Sequence, residues 1–310
     1  MSKQPMFEQL DEAVSRILAD PAGPAPSVDA SLEELLTLAR ELRELPNPGF
    51  KERLKQELER KATMSTTETV VRPGFRTVTP YLLSPNADFA DFMMKVFGAI
   101  DMGRHPTPSG FHGEFKIGDS MVMLGAGAPR SMPAVLQVYL PNADEVYQRS
   151  LDAGAVSEFS VTEGYGDRFG CVRDAIGNKW IISTHLGPHY IPENLPSIVP
   201  YYHPSAADAP RFIDFLKRAF GASEYQRYDD PDGKVLHAKI RIGDSIIAVG
   251  QPGPGPMSSM VLLYVPDTDG LFEQALRAGA KSLSAPSDQS YGRTAGVSDE
   301  WGNQWYMATP

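Results

Sequence analysis

The chain repeats itself. Lys116-Ile117-Gly118-Asp119-Ser120 returns as Arg241-Ile242-Gly243-Asp244-Ser245, and Leu140-Pro141 returns as Val265-Pro266. Ala153-Gly154-Ala155 returns as Ala278-Gly279-Ala280, and the pattern D-x-x-G-N-x-W runs from Asp174 to Trp180 and again from Asp299 to Trp305. Each pair is separated by 125 positions. A constant offset across four separate landmarks means duplication, and therefore two lobes with the same fold. A chain of 310 residues is long enough for two domains or for one built by duplication. The expected organisation is a helical extension and linker at 1–70, a first lobe at 71–187 and a second at 188–310.

Within a lobe, strand and helix signals alternate. Residues 75–83 are β-rich and end at Ser84-Pro85-Asn86; residues 87–97 are amphipathic and stop at Gly98, a normal helix end. Two alternating runs, 112–117 and 120–124, flank Gly118-Asp119, which reads as a hairpin because glycine accepts the positive φ of a tight turn. A strand at 134–140, a helix at 144–153 ended by Gly154, and a last hairpin around 174–177 complete the unit. Lobe two repeats the order, so the class is α+β with mixed sheets.

Residues 1–70 stand apart. Helical periodicity covers 7–18 and 32–45, with Ser31 placed as an N-cap, and a charged helix is expected over 50–61 after Pro46-Asn47-Pro48. This segment is expected to pack on a lobe or to serve self-association or a protein partner.

Composition narrows the partners. The net charge of -10 repels phosphate backbones and makes nucleic acid a poor partner. Cys171 is the sole cysteine, so no intramolecular disulfide can form. The first residues carry no apolar core of a secretory signal, and no run approaches the ~20 apolar residues of a bilayer span. A cytoplasmic protein with no membrane partner is expected. No P-loop, no G-x-G-x-x-G after a strand, no C-x-x-C pair and no G-x-S-x-G elbow occurs.

Three stretches carry a family resemblance: 77–82 (TVTPYL), 112–119 (HGEFKIGD) and the run from Tyr165-Gly166-Asp167-Arg168-Phe169-Gly170 through Trp180. Val199-Pro200-Tyr201 and the run from Tyr291-Gly292-Arg293 through Trp305 repeat them. Over about 74–310 the chain resembles the vicinal oxygen chelate superfamily (glyoxalase, bleomycin resistance, dioxygenase), and in particular its PhnB-like branch. The resemblance implies tandem duplicated lobes of paired βαβββ modules, with curled mixed sheets around ligand-sized clefts. A cleft in this superfamily forms within a lobe or between two lobes, and a tandem duplication implies a monomer acting as a pseudo-dimer. Fold alone does not settle function here.

Metal-dependent members of the superfamily hold a divalent ion through His, Glu or Gln at fixed strand positions. Carried over by the strand landmarks, those positions fall near Thr79, Val199, Val135 and Met260, and on Ile181 and Tyr306. Apolar side chains supply no donor. The hairpin position keeps Glu114, but its repeat counterpart is Lys239. No metal and no cofactor are therefore expected. Candidate ligand-binding residues are Tyr81, His112, Glu114, Tyr139, Tyr165, Arg168, Tyr201, His203, His237, Tyr291, Arg293 and Tyr306. His112 and Glu114 alternate and so share a strand face. Tyr165, Arg168, Tyr291 and Arg293 sit in loops before the final hairpins, where binding groups are often carried. Arg168 is alternatively a holding residue paired with Asp167, Asp174 or Asp119. His185 and His189 are read as solvent-facing linker residues, and Cys171 as a buried small hydrophobe.

Three functions follow. The leading expectation is a metal-free protein that binds a small aromatic or amphipathic molecule in a lobe cleft, for sequestration, resistance or sensing. The alternatives are a metal-dependent lyase, isomerase or dioxygenase of glyoxalase type, and a protein-interaction module acting through the N-terminal helices.

Overall fold

The computed structural model describes residues 71–129, 131–205, 207–250 and 257–310. The expected N-terminal helices lie outside the described residues. Four βαβββ modules follow one another. The first comprises β1 (Val78–Ser84), α1 (Phe89–Phe97), β2 (Ile100–Thr107), β3 (Gly110–Ile117) and β4 (Ser120–Ala126). The second comprises β5 (Val135–Tyr139), α2 (Ala143–Asp152), β6 (Val156–Gly164), β7 (Asp167–Arg173) and β8 (Lys179–His185). The third comprises β9 (Ile198–Tyr202), α3 (Ala209–Phe220), β10 (Ser223–Asp229), β11 (Val235–Ile242) and β12 (Ser245–Gly250). The fourth comprises β13 (Met260–Tyr264), α4 (Thr268–Arg277), β14 (Lys281–Gln289), β15 (Gly292–Ser298) and β16 (Gln304–Thr309).

Local chemistry explains the element ends. Gly98 takes a left-handed conformation after α1 and returns its N–H to Met94, as the glycine predicted. Asn142 and Asp267 cap α2 and α4 by accepting the backbone N–H of Glu145 and Gly270. One strand per module escapes periodicity: β2, β6, β10 and β14 lie at sheet edges and are largely exposed. With no buried face they carry no apolar alternation to read. β2 occupies much of the Pro/Gly-rich stretch before Gly110.

The modules pair across the repeat. One eight-stranded sheet runs β14-β15-β16-β13-β1-β4-β3-β2 and joins the first module to the fourth. The other runs β10-β11-β12-β9-β5-β8-β7-β6 and joins the third to the second. The seams are antiparallel, β1 against β13 and β5 against β9. Each sheet therefore draws on both halves of the sequence.

The cores on the helix side follow the halves instead. Trp180, Phe97, Leu82 and Leu136 bury together under α1 and α2, with Phe97 and Trp180 ring centroids 4.4 Å apart. Trp305, Phe220, Tyr202 and Phe212 form the counterpart under α3 and α4, with Phe220 and Trp305 at 4.6 Å. The repeated D-x-x-G-N-x-W motif is the lock of each core. Asp174 Oδ2 accepts the Trp180 indole N–H (2.8 Å) and the Asn178 amide (2.8 Å), while Oδ1 accepts the backbone of Ile176 and Asn178. Asp299 does the same for Trp301, Asn303 and Trp305. Burial raises both carboxyl pKa values against these hydrogen bonds.

The repeated Gly-Asp-Ser turn clasps the two sheets. Asp119 Oδ1 accepts the Ser197 N–H (2.7 Å), and Ser120 Oγ accepts the Ile198 N–H just before and within β9. In return, Asp244 accepts the Thr77 N–H (2.7 Å) and Ser245 the Val78 N–H (2.8 Å) at the start of β1. Gly118 has φ 59°, and a Cβ there would run into the Ser197 hydroxyl, so glycine serves both the turn and the approach.

Candidate functional site

Each sheet has a second face, turned away from the helices. On the module 1/4 sheet it gathers Met123, Tyr264, Ala308, Tyr81 and Leu262. On the module 2/3 sheet it gathers Val135, Tyr139, Cys171, Ile181, Val199, Tyr201, Ile246 and Ala248, flanked by Phe159 and Phe169. Strand alternation then assigns the polar residues: those at even spacing from this set share its face.

The two inner faces match in strand register. Across the strands, Glu114 stands beside Met123 and Met123 beside Tyr81; in the other sheet Lys239 stands beside Ala248 and Ala248 beside Tyr201. Tyr81 hydroxyl meets His112 Nδ1 at 2.9 Å, and Tyr201 hydroxyl meets His237 Nδ1 at 2.9 Å. Burial pushes the Tyr81 phenol up to about 12 and pulls His237 down to about 4, so each pair sits neutral at physiological pH. A chain segment leads into each first strand through the same turn. Phe75 N–H donates to the Arg72 carbonyl (2.9 Å) and Leu195 N–H to the Pro192 carbonyl (3.1 Å). The third residue of each turn, Gly74 or Asn194, has positive φ.

Charge separates the two faces. In the module 1/4 sheet Arg72 reaches from this turn and clamps Glu114 with both guanidinium nitrogens, at 2.6 and 3.1 Å. It also donates to the Tyr264 hydroxyl at 3.4 Å and lies over the Phe75 ring. In the module 2/3 sheet, Pro192 stands where Arg72 stands and Lys239 where Glu114 stands. Lys239 is half-buried, and among the described residues it makes no ion pair. Burial lowers its ammonium pKa while the Asp167 carboxylate acts to raise it. Five strand spacings separate β11 from β7 in the sheet order, about 24 Å in a flat sheet. The sheet therefore curls enough to bring the Asp167 carboxylate within electrostatic range of Lys239.

Asp167 is the hub of a hydrogen-bonded chain. It accepts the Tyr139 hydroxyl at 2.9 Å and meets His185 Nδ1 at 2.8 Å. Gln137 donates to the Tyr139 hydroxyl (3.0 Å) and to Ser183 Oγ (3.1 Å). His185 is the last residue of β8 and belongs to this chain, which corrects the expectation of a solvent-facing linker histidine; His189 is exposed as expected. At the other end of the face, His203 is 4% exposed, its ring lies 5.0 Å from that of Tyr201, and burial pulls its pKa down to about 3. Among the described residues its Nε2 has no hydrogen-bond partner.

The candidate residues thus segregate by sheet. Tyr81, His112, Glu114 and Tyr306 line one face, and Tyr139, Tyr201, His203 and His237 the other. The hairpin-tip Tyr291 lies near enough to act on the Tyr81 phenol, and Tyr165 on that of Tyr201. Tyr165 is 99% exposed and has φ 54°, a conformation an aromatic residue rarely adopts. Arg168 and Arg293 stay outside both groups. Arg168 pairs with Asp144 (2.6 Å) and Glu163, not with Asp167, Asp174 or Asp119, and Arg293 pairs with Asp269 (2.8 Å) and Asp288. Each arginine thus meets an acidic first-turn residue of α2 or α4. Arg72, Gln137, His185 and Tyr264 are residues of these two faces that the motifs did not single out, while Asp167 and Lys239 figured there only as a motif position and as the counterpart of Glu114. The one available signal was the Glu114-to-Lys239 charge reversal within the repeat.

The positions carried over for metal ligands hold mostly apolar side chains. On the module 2/3 face they are Val135, Val199 and Ile181, all buried, with Gln137 between the last two across the strands. Glu114 is spent on Arg72. Among the described residues no three His, Cys, Asp or Glu side chains converge. Cys171 is buried and its thiol pushed up to about 12, so it is no nucleophile.

No family model matches the chain. Uncharacterized protein Rv0887c of Mycobacterium tuberculosis is 33% identical over 161 residues, 47% of this chain and 86% of that protein. Uncharacterized protein Mb0911c of Mycobacterium bovis is 34% identical over 117 residues, 33% of this chain and 77% of that protein. Among solved structures, glyoxalase I from Zea mays aligns with TM-score 0.59 at 13% identity over 75% of this chain and 92% of its own. No helix of the described residues is long and apolar enough to cross a membrane. The chain belongs to the family of these mycobacterial proteins, and its four modules have the vicinal oxygen chelate fold of glyoxalase I.

Proposed function

We propose that the protein binds a small aromatic or amphipathic molecule on the inner face of the module 2/3 sheet, without a metal ion, and acts by sequestration, resistance or sensing in the manner of a PhnB-like, bleomycin-resistance-type member of its fold. One observation carries this reading. The positions that would ligate metal carry the apolar Val135, Val199 and Ile181, with Gln137 between Val199 and Ile181 across the strands and already donating to Tyr139 and Ser183, and Tyr139, Tyr201, His203 and Lys239 stand around them. Small-molecule sites are built this way, largely apolar with a few convergent polar groups. His203 supports it, because a buried imidazole nitrogen without a partner costs about 1–3 kcal/mol, a cost that a bound hydrogen-bonding ligand would recover.

Native mass spectrometry of the full chain, with elemental analysis of the same sample, tests the proposal. The expected result is the polypeptide mass, alone or with a retained organic molecule, and less than about 0.1 metal per chain after dialysis, the level left when no dedicated site exists. About one Zn, Mn, Fe or Ni per chain surviving dialysis would overturn it.

A further inference from the structure

The two inner faces were made by one duplication, so each shows what the other lacks. On the module 1/4 face the buried charge of β3, Glu114, is neutralised from within the chain by Arg72. On the module 2/3 face the equivalent charge is reversed to Lys239, and the equivalent of Arg72 is Pro192, which bears no charge. The turn is otherwise conserved in geometry, with matching hydrogen bonds and matching positive φ at Gly74 and Asn194. Asp167, whose carboxylate acts on Lys239 from across the sheet, is itself held by Tyr139 and His185. The position that Arg72 fills on one face therefore lacks its counter-ion on the other.

We propose that the module 2/3 face is the working site and that its ligand is an organic anion: an aromatic or amphipathic body on the Val135–Val199–Ile181 floor, with a carboxylate, sulfonate or phenolate paired to Lys239 where the mirror of Arg72 would lie. This rests on the small-molecule reading above and adds the charge of the ligand and the choice of face. The alternatives within the molecule are weaker. The groove lined by Arg211, Arg218 and Trp301 has both arginines already paired, with Asp208, Glu300 and Asp214. A half-buried ammonium without a partner favours a desolvated anion, since charge-assisted hydrogen bonds are the strong ones.

The test uses two probes with the same ring system: 1-anilinonaphthalene-8-sulfonate, an anion, and N-phenyl-1-naphthylamine, which is neutral. Fluorescence titration of the full chain is expected to show saturable binding of both, the sulfonate about tenfold tighter, the size of one charge-assisted hydrogen bond. Lys239→Met is expected to remove that tenfold preference and leave the neutral probe unchanged; Lys239→Arg is expected to keep it. Arg72→Met, on the other face, is expected to leave both titrations unchanged. Equal affinity for the two probes, or an unaltered preference in Lys239→Met, would overturn the anion while leaving small-molecule binding standing. Saturable binding of neither probe would overturn both.

Discussion

The two sheets of this protein have the same strand order, the same tyrosine–histidine pair and the same entry turn, yet one is closed electrostatically and the other is open. Arg72 and Glu114 lie 42 positions apart and meet bidentately, with side-chain exposures of 43% and 11%. Lys239 and Pro192 at the equivalent places cannot meet in that way. Duplication relaxes the demand on each copy. One face can be fixed by an internal ion pair and serve as support, while the other keeps an unsatisfied cation and an unsatisfied histidine. Binding sites commonly carry such local cost, because stability and function compete for the same groups.

The comparison can be broken most directly where the copies should not differ. Asp174→Ala and Asp299→Ala each strand two backbone N–H groups, an asparagine amide and a tryptophan indole in a buried core. Each is expected to cost about 3–5 kcal/mol, equally in the two halves. A clear inequality in chemical denaturation would show that the halves are not supported alike. Where the copies should differ, the effects separate. Arg72→Met leaves the Glu114 carboxylate buried without its cation, and should cost about 1–3 kcal/mol, reduced from the fully buried case because Arg72 is partly screened by solvent. Lys239→Met should be neutral or slightly stabilising, since it replaces an unpaired ammonium by an apolar chain of similar length. Equal destabilisation by both would mean that Lys239 has found an internal partner.

Acid should act more on the open face. His203 and His237 are pulled down to about 3 and about 4, whereas the unfolded chain titrates them near 6.5. Between those values the unfolded state binds more protons, so these residues contribute stability that is present above about pH 6.5 and lost as pH falls toward 4. The melting temperature should decline across that window, and His203→Phe should flatten the decline. His112 on the closed face is lowered as well, but Glu114 beside it acts in the opposite sense. His112→Phe should therefore flatten it less.

Much of this was legible in the residues. The 125-residue offset announced the modules, Gly98 announced a helix end, and ten of the twelve candidate side chains line the inner faces or stand close to them. The edge strands were not legible, because β2 and β14 have no buried side to leave an alternating trace. Arg168 and Arg293, expected in loops, are the second residues of β7 and β15, and they misled because their partners Asp144 and Asp269, in acidic first turns of helices, lie 24 positions away in sequence. The Tyr139–Asp167–His185 chain was hidden for the same reason: its members come from three strands, and no short motif spans them.

What the sequence determined alone is the unit: a βαβββ module whose turns, caps and Asp–Trp locks are local, acting over a few residues, and are therefore written in short motifs. Which modules share a sheet was decided only by tertiary structure. The β1–β13 and β5–β9 seams are backbone hydrogen bonds between strand edges, and backbone amides carry no side-chain signature. The site inherits that difference. Its residues are readable one at a time, but the curl that brings Asp167 within electrostatic range of Lys239, and the strap that sets Arg72 on Glu114, exist only once distant segments have packed.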